Sequence, residues 1–327
     1  MNYILGLDFG GTKLAAGLVD PTTGAVVASA RRLTPPGGAV ASRAAMFDLA
    51  RGLLAGDEGR RTEDEMPRSS VVGRRSSVVG VGVSFNGPVA GDGRTVRRSM
   101  HIPGWEDFGL AEWLERALRA PALIANDADA AALAEQRFGA GRGTRHMLYM
   151  TISTGIGGGV IVDGRLYRGE RAWAGEIGHM PLVPNGPPCP CGRRGCLEAL
   201  ASGLSIAREA RQRVRYQTPT SRLQSLPADE ITAHDVARAA AQGDELARAI
   251  WGEAMGWLGL GIAAAANLLD PGRVVLGGGL TRAGALLFDP LRRIVAERAL
   301  DPAVEVVPAA LGDDVGILGG AALMIDG

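Results

Sequence analysis

Two hairpins cornered by glycine constrain this chain more than any other feature. The first runs from the apolar strand Ile4 to Phe9 through a Gly10-Gly11 turn into Lys13 to Val19. The turn Asp20-Pro21-Thr22-Thr23-Gly24 then leads to a third strand, Ala25 to Arg31, completing an antiparallel meander. The second hairpin runs from Met147 to Ser153 through TGIGGG into Val160 to Asp163, in the same layout. One layout used twice predicts two related half-structures. The length points the same way, because 327 residues exceed the size at which one core usually keeps growing. An α/β chain of two domains, with a ligand-holding cleft between them, is expected.

Between and beyond the hairpins the pattern is mostly helical. Helices are predicted near Ser42 to Leu54, over Leu110 to Arg119 and over Asp129 to Phe138, with a short strand Ala122 to Ala125 ahead of the third. After residue 200, Ser202 and Thr232 read as N-caps, and Asp270-Pro271-Gly272 stops a long helix that begins near Asp244. A strand Arg273 to Leu276 follows and ends at Gly277-Gly278-Gly279. Residues 56–80 are polar, and RSSVVG at 68–73 recurs at 75–80. Only the second copy continues into an alternating strand, Val78 to Phe85, so the first reads as a mobile loop insertion.

Charge and cysteine usage exclude several classes. Lys plus Arg and Asp plus Glu both total 35, which leaves no net field to hold nucleic acid. The first residues lack a basic region before their apolar run, and the longest apolar stretch, Leu258 to Leu269, is too short to span a bilayer, so no membrane partner is expected. All three cysteines fall between residues 189 and 196, which argues against a disulfide framework and for a reducing cytoplasm.

Four groups of residues carry chemistry. In LDFGGTK, Asp8 ends a strand and is followed by Gly10, Gly11, Thr12 and Lys13. Backbone N–H groups of Gly10, Gly11 and Thr12 suit a triphosphate, and Asp8 suits Mg2+, directly or through water; an ordinary hairpin is the alternative. The spacing is not that of a P-loop. In STGIGGG, Val160 stands where a dinucleotide fingerprint requires a small residue, so a second phosphate-facing hairpin with Thr154 and Gly155 nearest the ligand is expected. Gly278 and Gly279 either let a nucleoside lie against backbone or merely turn a strand into a helix. His179, Cys189, Cys191 and Cys196 offer a Cys3His set, which closes a structural zinc site with no open position for water. Asn126-Asp127 ends an apolar run, where the carboxylate serves either as a general base or as a helix N-cap. Glu176 and Glu198 flank the cysteine loop, and either bind hydroxyls or face solvent.

Together these segments closely resemble the ROK family of bacterial sugar kinases and repressors: LDFGGTK, NDADAAALAE, STGIGGG, GEIGHM, CPCGRRGCLEALAS and VVLGGG occur in family order. The resemblance implies a two-domain actin-like ATPase fold, related to ribonuclease H, with domains at 1–127 and 128–312 and a C-terminal helix near 313–327 packing back on the first. It implies ATP with Mg2+ held by Asp8, Gly10, Gly11, Thr12, Lys13, Thr154, Gly155, Gly278 and Gly279. It further implies a hexose held by Asn126, Asp127, Glu176, His179 and Glu198, with Asp127 as base and His179 serving both the zinc and a sugar hydroxyl. A homodimer is usual in such proteins, and polyphosphate is an alternative donor. The family's glucokinases commonly have Asn before the proline-glycine-tryptophan loop where this chain has His101. That departure bears on sugar identity. Similar N-acetylmannosamine kinases often have His in place of Glu176, which favours glucose over N-acetylmannosamine or N-acetylglucosamine. Regulators of the family carry a helix-turn-helix ahead of the kinase-like part. Here the first hairpin begins at residue 4, and a kinase is expected instead.

Overall fold

In the computed structural model, which describes residues 1–55, 77–99, 101–216 and 220–326, β1 (Asn2–Phe9) organises the first sheet. It turns back as β2 (Lys13–Val19), which turns back as β3 (Val26–Leu33). On its other side β4 (Ser77–Phe85) and β5 (Ala122–Asn126) add in parallel, giving the order β3-β2-β1-β4-β5. β4 starts within the second RSSVVG copy; the insertion expected from the first copy lies outside the described residues.

The alternation of β1 divides its side chains between two layers. Tyr3, Leu5, Leu7 and Phe9 pack with Met46 of α1 (Gly38–Ala55), Leu110 and Leu114 of α2 (Leu110–Leu118), and the fully buried Trp105. The opposite face carries Ile4, Gly6 and Asp8. Ile4 packs with Ala134 of α3 (Asp127–Phe138) and with Ile317 and Ala321 of the C-terminal helix α9 (Val315–Asp326). α9 lies on glycine: a Cβ at Gly82 would stand 1.7 Å from the Gly320 carbonyl oxygen, so any side chain there would lift the helix off the sheet.

The second sheet repeats this connectivity. β6 (Met147–Ile152) and β7 (Ile156–Val162) form its hairpin, β8 (Arg165–Leu166) is a two-residue edge, and β9 (Arg273–Gly277) and β10 (Glu305–Pro308) run parallel to β6. The order β10-β9-β6-β7-β8, read backwards, matches the first sheet strand for strand. The core over this sheet is built by α4 (Leu197–Ala201), α5 (Gly203–Tyr216), α6 (Ala233–Ala241), α7 (Glu245–Leu269) and α8 (Ala285–Arg298). Thr232 caps α6 in a reciprocal box with Asp235, and the Ser202 hydroxyl accepts from the Ser205 N–H at the start of α5. At 25 residues α7 is long and apolar enough to cross a membrane by length and composition, but Ile250, Met255, Leu258 and Ile262 are buried in this core.

The chain divides into two compact units: Met1–Arg142, Arg165–Ala174 and Leu311–Gly327 form the first, and Gly143–Gly164 with Gly175–Ala310 the second. The division falls after α3 instead of at residue 127. The reason is packing: α3 is largely alanine, and a Cβ at Gly319 of α9 would stand 2.5 Å from the Ala130 carbonyl oxygen, so the two helices are in backbone contact. Two further differences from the sequence reading are local. β7 begins at Ile156, so Gly157, Gly158 and Gly159 are strand residues opposite Thr151, Met150 and Tyr149, and the turn is only Ser153 to Gly155. β10 was not expected; it is a four-residue edge strand ending in Pro308, a place where a missing N–H breaks no ladder.

Candidate functional site

On the first unit, Asp8 is the last residue of β1 to face α9. Its Oδ1 accepts from the Ser84 hydroxyl on β4 at 2.9 Å, and the first turn of α9 lies against it, since a Cβ at Gly316 would be 2.4 Å from the carboxyl carbon. Burial pushes the Asp8 pKa from its ordinary 3.8 to about 6. The Ser84 bond opposes the rise, the nearby Asp127 carboxylate adds to it, and Lys13 and Arg31 oppose it. At the adjoining turn the Gly10 N–H donates to the Lys13 carbonyl at 3.1 Å, and the Thr34 hydroxyl donates to the Gly10 carbonyl at 2.9 Å. The Gly10 amide is therefore committed to closing the turn, which leaves the amides of Gly11 and Thr12 at its tip.

The capping role that the sequence left open to the pair Asn126-Asp127 falls to the first residue. Asn126 is the N-cap of α3, its Oδ1 accepting from the Asp129 N–H at 2.7 Å. Asp127 is the first residue of that helix. Its Oδ1 accepts from the Ala128 N–H at 2.9 Å and its Oδ2 from Asn86 Nδ2 at 3.0 Å. Its side chain is open to solvent, yet the protein around it raises its pKa by desolvation, against the bonds from Asn86 and Ala128 and the influence of His101. Because solvent reaches the carboxylate, that desolvation is partial. His101 lies over the first turn, with its Cδ2 3.1 Å from where a Gly11 Cβ would be. It borders a cavity of about 710 Å³ with Thr34, Pro35, Pro36, Ile102 and Pro103.

On the second unit, one ring nitrogen of His179 and the Sγ atoms of Cys189, Cys191 and Cys196 lie within 4.8 Å of one another. The Cys191 and Cys196 sulfurs are 3.7 Å apart, too far for a disulfide, and Cys189 Sγ is 3.7 Å from His179 Nδ1. A tetrahedron of zinc–sulfur bonds of about 2.3 Å has edges of about 3.8 Å, so the spacing fits such an ion. Burial pushes the Cys189 thiol up to about 12, a cost to its thiolate that a cation would offset. With Nδ1 turned to the sulfurs, His179 Nε2 points the other way, 3.8 Å from Glu176 Oε2. Glu198 Oε2 accepts from the Ile156 N–H at 2.9 Å, which ties the end of the cysteine loop to the second hairpin.

The second hairpin turn meets two other corners of the same unit. The Gly203 N–H donates to the Ser153 carbonyl at 2.8 Å and the Leu204 N–H to the Thr154 carbonyl at 3.2 Å. Gly278, at φ 90°, would place a Cβ 2.5 Å from the Ile152 carbonyl oxygen, so only glycine fits there. Gly278 and Thr154 are exposed, and Gly279 adjoins them. The sequence-derived candidates thus lie in two sets: Asp8, Gly10, Gly11, Thr12, Lys13, His101, Asn126 and Asp127 on the first unit; Thr154, Gly155, Glu176, His179, the three cysteines, Glu198, Gly278 and Gly279 on the second. Ser84 and Asn86 were missed. Asn86-Gly87 has the composition of a turn, so nothing local marks its amide as functional.

Two sheets of one connectivity, each with a glycine-cornered hairpin, and a carboxylate at the end of the first strand define an actin-like two-domain kinase fold. The comparisons agree. Residues 69–327 match the ROK family. The chain is 34% identical over 333 residues to a glucokinase of Streptomyces coelicolor, covering 99% of this chain and 98% of the relative. It is 31% identical over 320 residues to an N-acetylmannosamine kinase of Yersinia pseudotuberculosis, covering 97% and 96%. A crystal structure of a ROK family glucokinase from Streptomyces griseus, in complex with glucose and AMPPNP, superposes with a TM-score of 0.77 at 34% identity over 98% of both chains. The chain belongs to the ROK family.

Proposed function

We propose that this sugar kinase transfers the γ-phosphoryl group of ATP to the primary hydroxyl of glucose, giving glucose 6-phosphate, with Asp127 as general base. The observation that carries the reading is the placement of Asp127 near enough to Asp8 to raise its pKa, on the unit that also bears the Gly11-Thr12 turn. Phosphoryl transfer needs these parts side by side: a base for the acceptor, a carboxylate for a cation and amides for the phosphates. Asp127 takes the hydroxyl proton while that oxygen bonds to phosphorus and the bond to ADP breaks. Asp8 holds Mg2+, which when bound neutralises charge on the phosphates. On the first unit Gly11, Thr12 and Lys13 are the nucleotide contacts and Asn126 and His101 the sugar contacts; on the second, Thr154, Gly155, Gly278 and Gly279 are nucleotide contacts and Glu176, His179 and Glu198 sugar contacts.

The reading includes a structural zinc held by His179, Cys189, Cys191 and Cys196, which when bound locks the loop and fixes the ring of His179. The ring's Nε2, beside the Glu176 carboxylate, is then the face offered to the sugar. Cys191 is the exposed member of the set, so its replacement by serine leaves no cavity. Cys191→Ser is expected to lose the metal, about one ion per chain, and to raise the sugar KM about tenfold or more while the ATP KM changes less than about twofold. Elemental analysis and steady-state kinetics measure both; unchanged sugar affinity without metal would reject the coupling. A cytoplasmic homodimer belongs to the same reading, with exposed Leu260, Leu268 and Leu300 of the second unit as apolar surface to bury.

A coupled assay with glucose, mannose, fructose, N-acetylglucosamine and N-acetylmannosamine tests the substrate, and glucose is expected to give the highest kcat/KM. Two carboxylates and an imidazole arranged to pair with hydroxyls discriminate strongly against an analogue that lacks one. A higher kcat/KM for an N-acetyl sugar would overturn the choice and implicate His101.

A further inference from the structure

We infer that Asn86 is a positioning residue for phosphoryl transfer, acting through Asp127; the inference rests on the general-base reading above. The amide is aimed by the backbone. Asn86 directly follows β4, and its N–H donates to the Phe9 carbonyl at 3.0 Å, at the end of the strand that carries Asp8. The next residue, Gly87, has φ 153°, and a Cβ there would meet the Arg98 carbonyl oxygen at 2.3 Å, so the chain on both sides of Asn86 is fixed against neighbouring backbone. From this rigid corner Nδ2 donates to Asp127 Oδ2 at 3.0 Å. The orientation of the amide follows from chemistry, since a carboxylate accepts and an NH2 group donates.

The consequence is a carboxylate held from two sides. The Ala128 N–H holds Oδ1 and Asn86 holds Oδ2, so the carboxylate cannot rotate about its χ2 torsion without losing both bonds. Each oxygen keeps further acceptor capacity, and because Asp127 is exposed that capacity is open to an acceptor hydroxyl. The helix supplies the first of these bonds through its own geometry; among the described residues the side chain of Asn86 supplies the second. Its remaining atom, Oδ1, is buried without a hydrogen-bond partner among the described residues. Retaining an unpaired buried oxygen costs free energy, so the amide is not there for stability. A buried amide that gives up one of its bonds to aim at a carboxylate is built for that aim.

Asn86→Ala and the near-isosteric Asn86→Leu both remove the donor, and both remove the unpaired oxygen, so each is expected to fold with a midpoint close to the parent. In the parent background either change is expected to lower kcat about 10-fold to 100-fold, the size of effect a misdirected reacting group produces, with sugar and ATP KM within about threefold. In the Asp127→Asn background the same changes are expected to alter the residual rate by less than about twofold, because the group they act through is already gone. Equal losses in both backgrounds, or no loss in the parent, would overturn the role of Asn86 while leaving the kinase reading intact. Absence of sugar-dependent ATP turnover in the unmodified protein would instead overturn the kinase reading, and this inference with it.

Discussion

Asp127→Asn is expected to lower kcat by about 10²-fold to 10⁴-fold, because an amide cannot take the proton of the attacking hydroxyl. The fold should hardly notice the change. The introduced amide can keep its oxygen as acceptor for the Ala128 N–H, which puts its NH2 where the Asp127 Oδ2 now faces Asn86. Two NH2 groups would clash there, but the Asn86 amide can turn over and present its Oδ1, the atom that now lacks a partner. The helix N-cap is untouched, since it is made by Asn126. The expected signature is therefore a large loss in kcat, a sugar KM within about threefold and a thermal midpoint near that of the parent. Turnover within about threefold of the parent would remove Asp127 from the role of base.

How much of this site was legible in the sequence depended on whether each residue's chemistry was local. The candidate metal ligands are three cysteines and a histidine close together in sequence, and spacing alone gathers them. Asp8 and the first hairpin were legible because a carboxylate within an apolar strand has few structural uses. Asn126 and Asp127 were visible as a pair but not separable: only the bond from the Asp129 N–H to Asn126 shows which one caps the helix, and it moves the start of α3 two residues ahead of the expected Asp129. Asn86 was illegible for a different reason. Its partner is 41 residues away, brought near by the parallel pairing of β4 and β5, and its neighbour Gly87 makes the dipeptide look like a turn. The glycines carried an ambiguity of the same kind. Gly6, Gly82, Gly316 and Gly320 serve the approach of α9, and no local pattern separates them from glycines that turn hairpins.

Asp8→Asn is expected to abolish most activity and to make the protein more stable, by an amount that depends on pH. In the folded protein burial raises the Asp8 pKa to about 6, above its ordinary 3.8. The folded state therefore holds a proton that the unfolded chain releases between those values, and the carboxyl's contribution to stability is complete below about pH 4, falls as pH rises through that window and stays lost above it. A shift of about two pH units corresponds to about 3 kcal/mol at about 1.36 kcal/mol per unit, and the partial exposure of Asp8 reduces the expectation to about 1–2 kcal/mol. An asparagine does not ionise, and its Oδ1 can still accept from the Ser84 hydroxyl, so the variant keeps the bond and escapes the loss. Thermal unfolding without Mg2+ or nucleotide, from about pH 4 to about pH 8, should show the two proteins alike at the acid end and the variant ahead from about pH 7. Omitting the cation matters, because a bound ion would hold the Asp8 anion and hide the difference. With Mg2+ and ATP present, the loss of a full negative charge where the cation is held should lower kcat about 10²-fold or more. A variant that is less stable than the parent at about pH 8, or whose advantage does not change with pH, would show that the Asp8 carboxylate is not held against its own ionisation.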